Sequence, residues 1–242
     1  MPLTRSEAVR RIAVALDSSE RSSILALARA LAGRVGMVKV GLEAFTACGP
    51  ALVEELGALG LPVFLDLKLH DIPNTVERAS RNCARLGVAM FNVHASGGEA
   101  MLRAAVAGAN AGAASPEAVP KVIGVTVLTS LDDPALDALG IPGGAAARVR
   151  GWAELARRTG CDGVVCSPNE AATLRAAIGP GFLLVTPGVR PSGADRRDQR
   201  RVATPAATVA AGADVLVIGR PITAAPDPAA AAEAILAEIM RS

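Results

Sequence analysis

The 242-residue sequence predicts an α/β protein that folds as a single (β/α)8 TIM barrel over residues 1–242. Two observations lead to this fold class. Short apolar runs alternate with longer segments in which Ala, Leu and Arg recur at helical spacing, and the apolar runs number eight, the count at which a parallel sheet closes into a barrel. No linker or shift in composition divides the chain, whose length is common for one barrel.

The predicted strands are short, apolar and rich in Val, Ile and Leu. They comprise residues 11–17, 37–41, 63–68, 89–95, 122–128, 163–167, 182–187 and 215–219. Helices are predicted at residues 21–32, 73–86, 145–159, 169–177 and 228–240. A doubly wound open sheet is the main alternative. It would need a Gly-rich turn after the first strand, where the chain instead reads LDSS at residues 16–19.

Composition argues against several classes of partner. The formal net charge is +2, and aromatic residues make up 2% of the chain with no tyrosine. Neither value fits a protein that binds duplex DNA or stacks single-stranded bases. No apolar run approaches the ~20 residues of a membrane-spanning helix, and residues 1–11 lack the apolar core of a signal peptide. We therefore expect a cytoplasmic protein without nucleic-acid or membrane partners, whose four cysteines are reduced, buried thiols.

Polar residues lie at or just after the carboxyl ends of the predicted strands. They are Asp17, Lys39, Asp66, Lys68, His94, Thr129, Ser167, Arg190 and Arg220. In a (β/α)8 barrel these ends surround one mouth, where the active sites of this fold are assembled. Residues far apart in the sequence could therefore converge on one substrate.

The third predicted strand carries two charges on one face. Asp66 and Lys68 are two residues apart, so both side chains point the same way, and Lys39 is expected at the same height on the adjacent strand. Charges inside a barrel are costly to desolvate unless they are paired, so their presence needs a reason. Asp66 and Lys68 could form only a structural ion pair, and Asp71 could be the N-cap of the helix that begins near Pro73.

Two later loops have the composition of a phosphate site. Residues 186–191 read TPGVRP and residues 218–222 read IGRPI. Glycine lets the backbone approach an anion closely, and arginine can hold two oxygens at once. Between these loops lies SGADRRDQRR at residues 192–201, a polar segment that could close over a ligand. Its Gln199 is a candidate ligand contact, whereas Arg196, Arg197 and Arg201 fit a solvated charge run.

Together these segments resemble the orotidine 5′-phosphate decarboxylase family, of the shorter bacterial type, over nearly the whole chain. The most specific segment is FLDLKLHDIPNTV at residues 64–76. It is accompanied by VALD (14–17), VKVG (38–41), NVHASGG (92–98), GVTVLTS (124–130), TPGVRP (186–191), DQRR (198–201) and VIGRPIT (217–223). The short Asp-x-Lys-x-x-Asp pattern alone would be less specific, because related phosphate-binding barrels share it.

The resemblance implies decarboxylation of orotidine 5′-phosphate to uridine 5′-phosphate, the last step of de novo pyrimidine nucleotide synthesis. Lys68 would donate a proton to C6 of the pyrimidine, and Lys39, Asp66 and Asp71 would complete a charged array around that carbon. Asp71 and Thr75 would reach into the neighbouring subunit's site, which implies a homodimer. The remaining substrate-binding residues would be Asp17 and Lys39 at the ribose, Thr129 and Ser130 at the pyrimidine, and Pro187, Arg190, Gln199, Gly219 and Arg220 at the phosphate end.

This chemistry leaves a carbanion at C6 with no adjacent electron sink, for which enzymes usually import a cofactor. The sequence shows no pyridoxal, thiamine or metal signature, so we expect catalysis without a cofactor, by electrostatic stabilisation. Two other functions stay open. One is a metal-dependent sugar-phosphate decarboxylase or synthase of the same suprafamily, and the other is a non-catalytic barrel that senses a nucleotide phosphate. The role of His94 is also open, whereas His70, Cys166 and Trp152 are interpreted as structural.

Overall fold

The computed structural model describes residues 3–191 and 203–241, and in these residues eight parallel strands form a closed barrel. In chain order the strands are β1 (Ile12–Ala15), β2 (Met37–Gly41), β3 (Val63–Leu69), β4 (Met90–His94), β5 (Lys121–Val125), β6 (Gly163–Val165), β7 (Leu183–Pro187) and β8 (Val215–Ile218). Each strand pairs with the next in the chain, and β8 pairs with β1 to close the sheet. The predicted (β/α)8 barrel is confirmed.

Helices surround the barrel and connect its strands. They are α1 (Arg5–Arg10), α2 (Arg21–Leu31), α3 (Leu42–Cys48), α4 (Pro50–Ala58), α5 (Pro73–Arg85), α6 (Gly98–Gly112), α7 (Asp133–Ala138), α8 (Gly144–Arg158), α9 (Pro168–Ile178), α10 (Pro205–Ala210), α11 (Arg220–Thr223) and α12 (Pro228–Met240). Within the described residues, none of these helices is both long enough and apolar enough to cross a membrane.

Local sequence signals set where several helices begin. Proline occupies the first turn of α5, α9 and α12, where its missing N–H costs no helical hydrogen bond. The Asp227 side chain accepts a hydrogen bond from the Ala230 N–H and so caps α12. These signals explain why the predicted start of α12 agrees with the structure.

Strand alternation divides the apolar core into two parts. One face of each strand packs against the helices, through residues such as Leu65, Phe91 and Val93. The other face fills the barrel interior with a smaller cluster, comprising Ala13, Ala15, Phe64, Met90, Ile123, Val185, Val215 and Val217. The barrel is therefore a packed core, and only the layer above this cluster is available for a site.

The predicted strands extend beyond several observed ends. The first was predicted over residues 11–17 and the fifth over residues 122–128, but β1 ends at Ala15 and β5 at Val125. Leu16 and Val127 lie past these ends and remain buried, with 1% and 6% exposure. Such residues are apolar because they pack in the core beyond the end of the strand. An apolar run in the sequence therefore overestimates the length of the strand.

The cysteine prediction is right for three of the four positions. Cys83, Cys161 and Cys166 are buried free thiols, and burial raises the pKa of each, to about 11, 11 and 12 respectively. Thiols with a raised pKa are poor nucleophiles at neutral pH. Cys48 is only partly buried, because it ends the short helix α3 near the surface.

Candidate active site

A polar cleft lies over the carboxyl ends of the strands and consists of two adjoining cavities. The outer cavity has a volume of 340 Å³ and is lined by Ala15, Asp17, Lys39, Pro187, Gly188, Val189, Arg190, Val217, Gly219, Arg220 and Pro221. The inner cavity has a volume of 190 Å³ and is lined by Lys39, Phe64, Asp66, Lys68, Asn92, Val125, Val127, Leu128, Thr129, Val165, Val185, Pro187 and Val217. Lys39, Pro187 and Val217 line both cavities, so the two form one cleft.

Four side chains of the cleft form a continuous charged array. Lys39 Nζ lies 3.1 Å from Asp17 Oδ1 and 3.2 Å from Asp66 Oδ2, and Lys68 Nζ lies 2.6 Å from Asp66 Oδ1. Lys39 and Asp66 are buried, with 7% and 9% exposure, whereas more than half of the Asp17 side chain is exposed. Acid and base therefore alternate along the array, whose two middle members are buried and whose two ends, Asp17 and Lys68, are partly exposed.

The charges around Asp66 determine the direction of its pKa shift. Burial by itself would raise the pKa of this carboxyl. The ammonium groups of Lys39 and Lys68, together with hydrogen bonds from Lys68 and Asn92, outweigh burial and lower the pKa below its ordinary value. Asp66 is therefore an anion at neutral pH, although it is buried.

The backbone of Lys68 is unusual. Its φ is +51°, which makes it the one non-glycine residue with a positive φ among those described. The β3–β4 register shifts at the same place: Leu65 pairs with Phe91, but the next pair is Leu69 with Val93. The chain therefore bulges at residues 66–68, and this bulge brings Asp66 and Lys68 together at the mouth.

Lys39 reaches the array from a lower position than the sequence predicts. In the β2–β3 register Lys39 pairs with Phe64, and Gly41 is the partner of Asp66. The predicted equal height is wrong, and the long lysine side chain spans the difference. A Cβ added at Gly41 would lie 3.0 Å from Lys39 Nζ and 3.2 Å from Asp17 Oδ1. Glycine therefore leaves room for this ion pair, a role that its sequence motif does not reveal.

The two predicted phosphate loops lie side by side at the outer cavity. Arg190 follows β7 and is 9% exposed, and Gly219 and Arg220 follow β8. Gly188 has a φ of +81°, a conformation that favours glycine, and so turns the chain between Pro187 and Arg190. The Arg190 N–H donates to the Ala203 carbonyl over 3.0 Å, which fixes the backbone beside the cavity. Gln199 and the predicted loop at residues 192–201 lie outside the described residues.

The remaining predicted residues on the mouth differ in position. Thr129 lines the inner cavity, whereas Ser130 is exposed and does not belong to its lining. Ser167 is buried at the start of α9, where its backbone N–H donates to the Glu170 carboxylate over 2.7 Å. Ser167 therefore begins a helix and does not line the cleft.

Asp71 and Thr75 do not line either of the two cavities of the cleft. Residues 71–75 are all exposed, and Ile72 retains 66% of its accessible surface. The N-cap interpretation of Asp71 is wrong, because the N-cap of α5 is Ile72 and Asp71 Oδ1 accepts from the Ile72 N–H, one residue before the helix. A separate surface cavity links this segment to the array, since both Lys68 and Asp71 line it.

The two histidines of the chain are neighbours. The ring centroids of His70 and His94 lie 5.3 Å apart, at the ends of β3 and β4. Burial is the main cause that lowers the pKa of His94; the electrostatic interactions with His70 and Lys68 lower it further, and that with Asp66 opposes them. His94 is therefore neutral at neutral pH, and its ring lines neither of the two cavities of the cleft.

Asn92 is a site residue that the sequence analysis quotes within a motif but assigns no role. It is 1% exposed, its Nδ2 donates to Asp66 Oδ1 over 2.7 Å, and its Oδ1 accepts from the Lys68 N–H over 2.8 Å. A signal was available, because an amide in the middle of an otherwise apolar strand must find buried partners.

The arrangement offers an anion-binding end and a proton-donating end. Arg190 and Arg220 can bind a multiply charged oxyanion in the outer cavity, and Lys68 can donate a proton inside a mainly aliphatic pocket. Within residues 3–191 and 203–241, no group of three or more His, Cys, Asp or Glu side chains is arranged to hold a metal ion.

Comparisons with known proteins identify relatives of the whole chain. Residues 10–235 match the family described as "Orotidine 5'-phosphate decarboxylase / HUMPS family". The chain is 58% identical over 227 residues to an orotidine 5′-phosphate decarboxylase of Anaeromyxobacter dehalogenans, covering 94% of this chain and 97% of the relative. It is 55% identical to the enzyme of that name from Moorella thermoacetica, covering 98% and 95%. A crystal structure of orotidine 5′-phosphate decarboxylase from Lactobacillus acidophilus superposes with a TM-score of 0.85 at 40% identity, covering 95% of this chain and 99% of the other.

Proposed function

The chain belongs to the orotidine 5′-phosphate decarboxylase / HUMPS family, and from this premise we propose that it converts orotidine 5′-phosphate to uridine 5′-phosphate and carbon dioxide in de novo pyrimidine nucleotide synthesis. The observation that carries the proposal is the charged array at the floor of the cleft, where buried Asp66 bridges Lys39 and Lys68. Binding a nucleotide phosphate alone would need no such array, which argues against a purely sensing barrel.

The substrate would span both cavities. Its phosphate would occupy the outer cavity, held by Arg190, Arg220 and the Gly219 backbone, with Pro187 at the same end. Gln199, which lies outside the described residues, would add a phosphate contact, as the family resemblance implies. Its pyrimidine would lie in the inner cavity, beside Thr129. Ser130 would contact the ring only through movement of its loop, since it is exposed in this structure.

The ribose would lie at the junction of the two cavities. Lys39 lines both cavities, and Asp17, in the outer cavity, forms an ion pair of 3.1 Å with it. A carboxylate and an ammonium can respectively accept from and donate to sugar hydroxyls. Binding the ribose through this pair would link the phosphate-binding end of the cleft to the charged array at the reacting carbon, because Lys39 also contacts Asp66.

Lys68 would carry out the proton transfer. When the bond between C6 and the carboxyl carbon breaks, carbon dioxide departs and the electron pair stays on C6. The Lys68 ammonium stabilises that developing charge and then donates a proton to C6, which gives uridine 5′-phosphate. The neutral amine regains its proton from solvent. The charges of the chain itself would therefore replace the electron sink that a cofactor supplies in other decarboxylases.

Asp66 would aim the proton donor and act on the departing group. Its Oδ1 accepts from Lys68 Nζ over 2.6 Å, which fixes the direction of the ammonium. As a buried anion it would also lie near the substrate carboxylate and disfavour the bound ground state relative to the transition state. Binding energy from the phosphate would offset that repulsion.

The complete site would form in a homodimer. The exposed residues 71–75 include an isoleucine, Ile72, with 66% exposure, which suits burial at an interface. In the dimer Asp71 would complete the charged array of the partner subunit, and Thr75 would approach the ribose there. Asp71 makes no ion pair within the described part of its own chain, which leaves its carboxylate available for this role.

The direct test follows the loss of orotidine 5′-phosphate absorbance with the purified full chain in metal-free buffer, with and without EDTA. We expect equal turnover in both, with Lys68→Ala as the control for contaminating host enzyme. No loss of orotidine 5′-phosphate, together with an EDTA-sensitive activity on a sugar phosphate, would instead favour the metal-dependent enzymes of the same suprafamily. Nucleotide binding without turnover would favour the sensing barrel.

The dimer proposal has its own test. Lys68→Ala and Asp71→Ala chains are each expected to be inactive. When they are mixed and allowed to exchange subunits, hybrid dimers would contain one intact site, with Lys68 from one chain and Asp71 from the other. Random pairing should restore about a quarter of the wild-type activity per subunit. No recovery after proven subunit exchange would place Asp71 in its own chain's site.

A further inference from the structure

We propose that Asn92 is a positioning residue of the active site, which holds the Lys68 backbone in its left-handed conformation and fixes the orientation of the Asp66 carboxylate. The claim about geometry rests on the structure alone. The claim about turnover rests in addition on the proposed function, and the experiment below separates the two.

Asn92 lies opposite the bulge in β3. It is the residue between Phe91 and Val93, the two β4 partners that flank the register shift. Four steps of β3, from Leu65 to Leu69, therefore face only two steps of β4. The Lys68 N–H within this bulge donates to Asn92 Oδ1 over 2.8 Å. The side-chain amide thus supplies the carbonyl that a regular ladder would have offered.

This hydrogen bond supports a conformation that lysine does not favour. A positive φ brings Cβ of an L-residue close to the following carbonyl, and such residues persist where the surroundings hold them. Gly or Asn is the common choice at such a position. Here the lysine side chain is needed at the cavity, since Lys68 Nζ meets Asp66 Oδ1 at 2.6 Å. The hydrogen bond from Asn92 therefore lets lysine occupy position 68 in a conformation that glycine or asparagine would adopt more easily.

The other end of the amide fixes the carboxylate. Asp66 Oδ1 accepts from both Lys68 Nζ, at 2.6 Å, and Asn92 Nδ2, at 2.7 Å, which leaves Oδ2 for Lys39 at 3.2 Å. With both oxygens engaged, the carboxylate plane has no free rotation. The amide orientation is also determined, because its oxygen faces an N–H donor and its nitrogen faces an anionic acceptor.

Asparagine suits this position better than its close analogues. Aspartate would keep the acceptor for the Lys68 N–H but would place a second carboxylate beside buried Asp66. Leucine would fill the space and satisfy neither partner, leaving a buried N–H without an acceptor. A neutral side chain with one donor and one acceptor matches the two groups that meet here.

The test compares Asn92→Ala and Asn92→Asp with a control, Thr126→Val. Thr126 is also a buried polar residue of the barrel, and its Oγ1 donates to the Val165 carbonyl over 2.7 Å. We expect kcat to fall about 10- to 100-fold in both Asn92 variants, with KM changed less than about threefold. Thr126→Val should keep kcat within about threefold of wild type. Unchanged kcat in a folded Asn92→Ala chain would overturn the proposal.

A second readout needs no turnover. The Asp66 carboxyl can be titrated by carbon NMR in the free protein, and its pKa should be higher in Asn92→Ala than in wild type, because a hydrogen bond that lowers it is lost. It should be higher still in Asn92→Asp. A merely structural residue would lower the melting temperature and leave both the Asp66 titration and kcat of the folded fraction unchanged.

The two readouts also separate this inference from the proposed function. If the wild-type chain does not turn over orotidine 5′-phosphate, the proposed function fails, and the Asp66 titration still tests the role of Asn92. If Asn92→Ala does not fold, Asn92→Asp decides by the same measurements, because it preserves size and the acceptor for the Lys68 N–H. An unshifted Asp66 titration in Asn92→Asp would overturn the proposal.

Discussion

Strands β2–β4 and strands β5–β8 contribute opposite chemistry to one cleft. At the layer above the barrel core, the first group contributes Lys39, Asp66 and Asn92, all of them buried and joined by hydrogen bonds or ion pairs. The second group contributes aliphatic residues to the inner cavity, namely Val125, Val165, Val185 and Val217. One half of the mouth is therefore a polar network and the other half is a valine wall.

The difference affects how strongly the charges of the polar half can act on a bound substrate. Charges act more strongly where few polar groups or waters screen them, and the valine wall creates that environment opposite the ammonium of Lys68. The polar half has costs of its own, because buried charges must be paired and Lys68 must adopt a positive φ. Substitutions in the polar half should therefore mainly lower turnover, whereas substitutions in the valine wall should mainly lower the stability of the fold.

The largest effect should follow removal of the proton donor. Lys68→Ala is expected to lower kcat at least about 10⁴-fold, because it removes both the proposed general acid and the charge proposed to stabilise the carbanion. Binding of uridine 5′-phosphate, measured by calorimetry, should remain detectable, since the arginines of the outer cavity are intact.

Lys121→Ala is the matched control for this change. Lys121 begins β5 at the opposite face of the barrel, and its half-exposed side chain pairs with Asp162 at 2.8 Å. Its loss should leave kcat unchanged within about twofold, because a surface ion pair contributes about 0–1 kcal/mol to stability and nothing to the cleft. A Lys68→Ala chain that retains a tenth of wild-type activity would contradict the assignment of Lys68.

A smaller effect is expected at Gly41, which gives the polar half its space. The Cβ of Gly41→Ala would lie 3.0 Å from Lys39 Nζ and so displace the ammonium from Asp17. We expect kcat/KM to fall about tenfold, because Lys39, which contacts Asp66 and is proposed to bind the ribose, would be misplaced. Gly57→Ala is the control, because Gly57 lies in α4 with no atom within 4 Å of the new Cβ. Equal kinetics in the two variants would show that the ion pair tolerates the methyl group.

The valine wall should respond in stability more than in turnover. Val185→Thr preserves shape and buries a hydroxyl in the barrel interior, where Val185 is fully buried. The free energy of unfolding should fall by about 1–2 kcal/mol, and the melting temperature by roughly 2–8 °C. Val164→Thr is the control, because it makes the same change on the helix-facing side of β6. It should lower the free energy of unfolding by a similar amount without changing KM. A loss of kcat/KM in Val185→Thr as large as that expected for Gly41→Ala would contradict the division between the two halves.

The two halves also differ in how far the sequence predicts them. The barrel and the aliphatic runs follow from alternation and spacing, and the bounds of β2 and α12 agree with the prediction. The two-residue period also predicts Asp66 and Lys68 on one face, but it is the bulge at residues 66–68 that brings the two groups together. Asn92 does not follow, because its role depends on a bulge that breaks the two-residue period of β3. A pattern with a fixed period cannot show an extra stretch of chain in one strand.

Other features needed three-dimensional information for different reasons. Lys39 reaches Asp66 from a lower register position, which only the β2–β3 pairing shows. The role of Gly41 depends on two side-chain atoms of other residues lying close to the space where its Cβ would be. The proposed function of Asp71 depends on a second chain, so neither the period of the sequence nor the structure of one chain can test it.

The smallest predicted effect concerns pH and the histidine pair beside the polar half. Burial, followed by the charges of His70 and Lys68, lowers the pKa of His94 below its ordinary value of 6.5. The unfolded chain therefore binds more protons than the folded chain just below pH 6.5, so this contribution to stability is present above that pH and is lost as the pH falls. His94→Gln should show a flatter fall in melting temperature between about pH 7 and pH 5. His70→Gln should retain most of the wild-type slope, because burial of His94 is the larger cause. Equal slopes in wild type and His94→Gln would show that another group controls stability in this range.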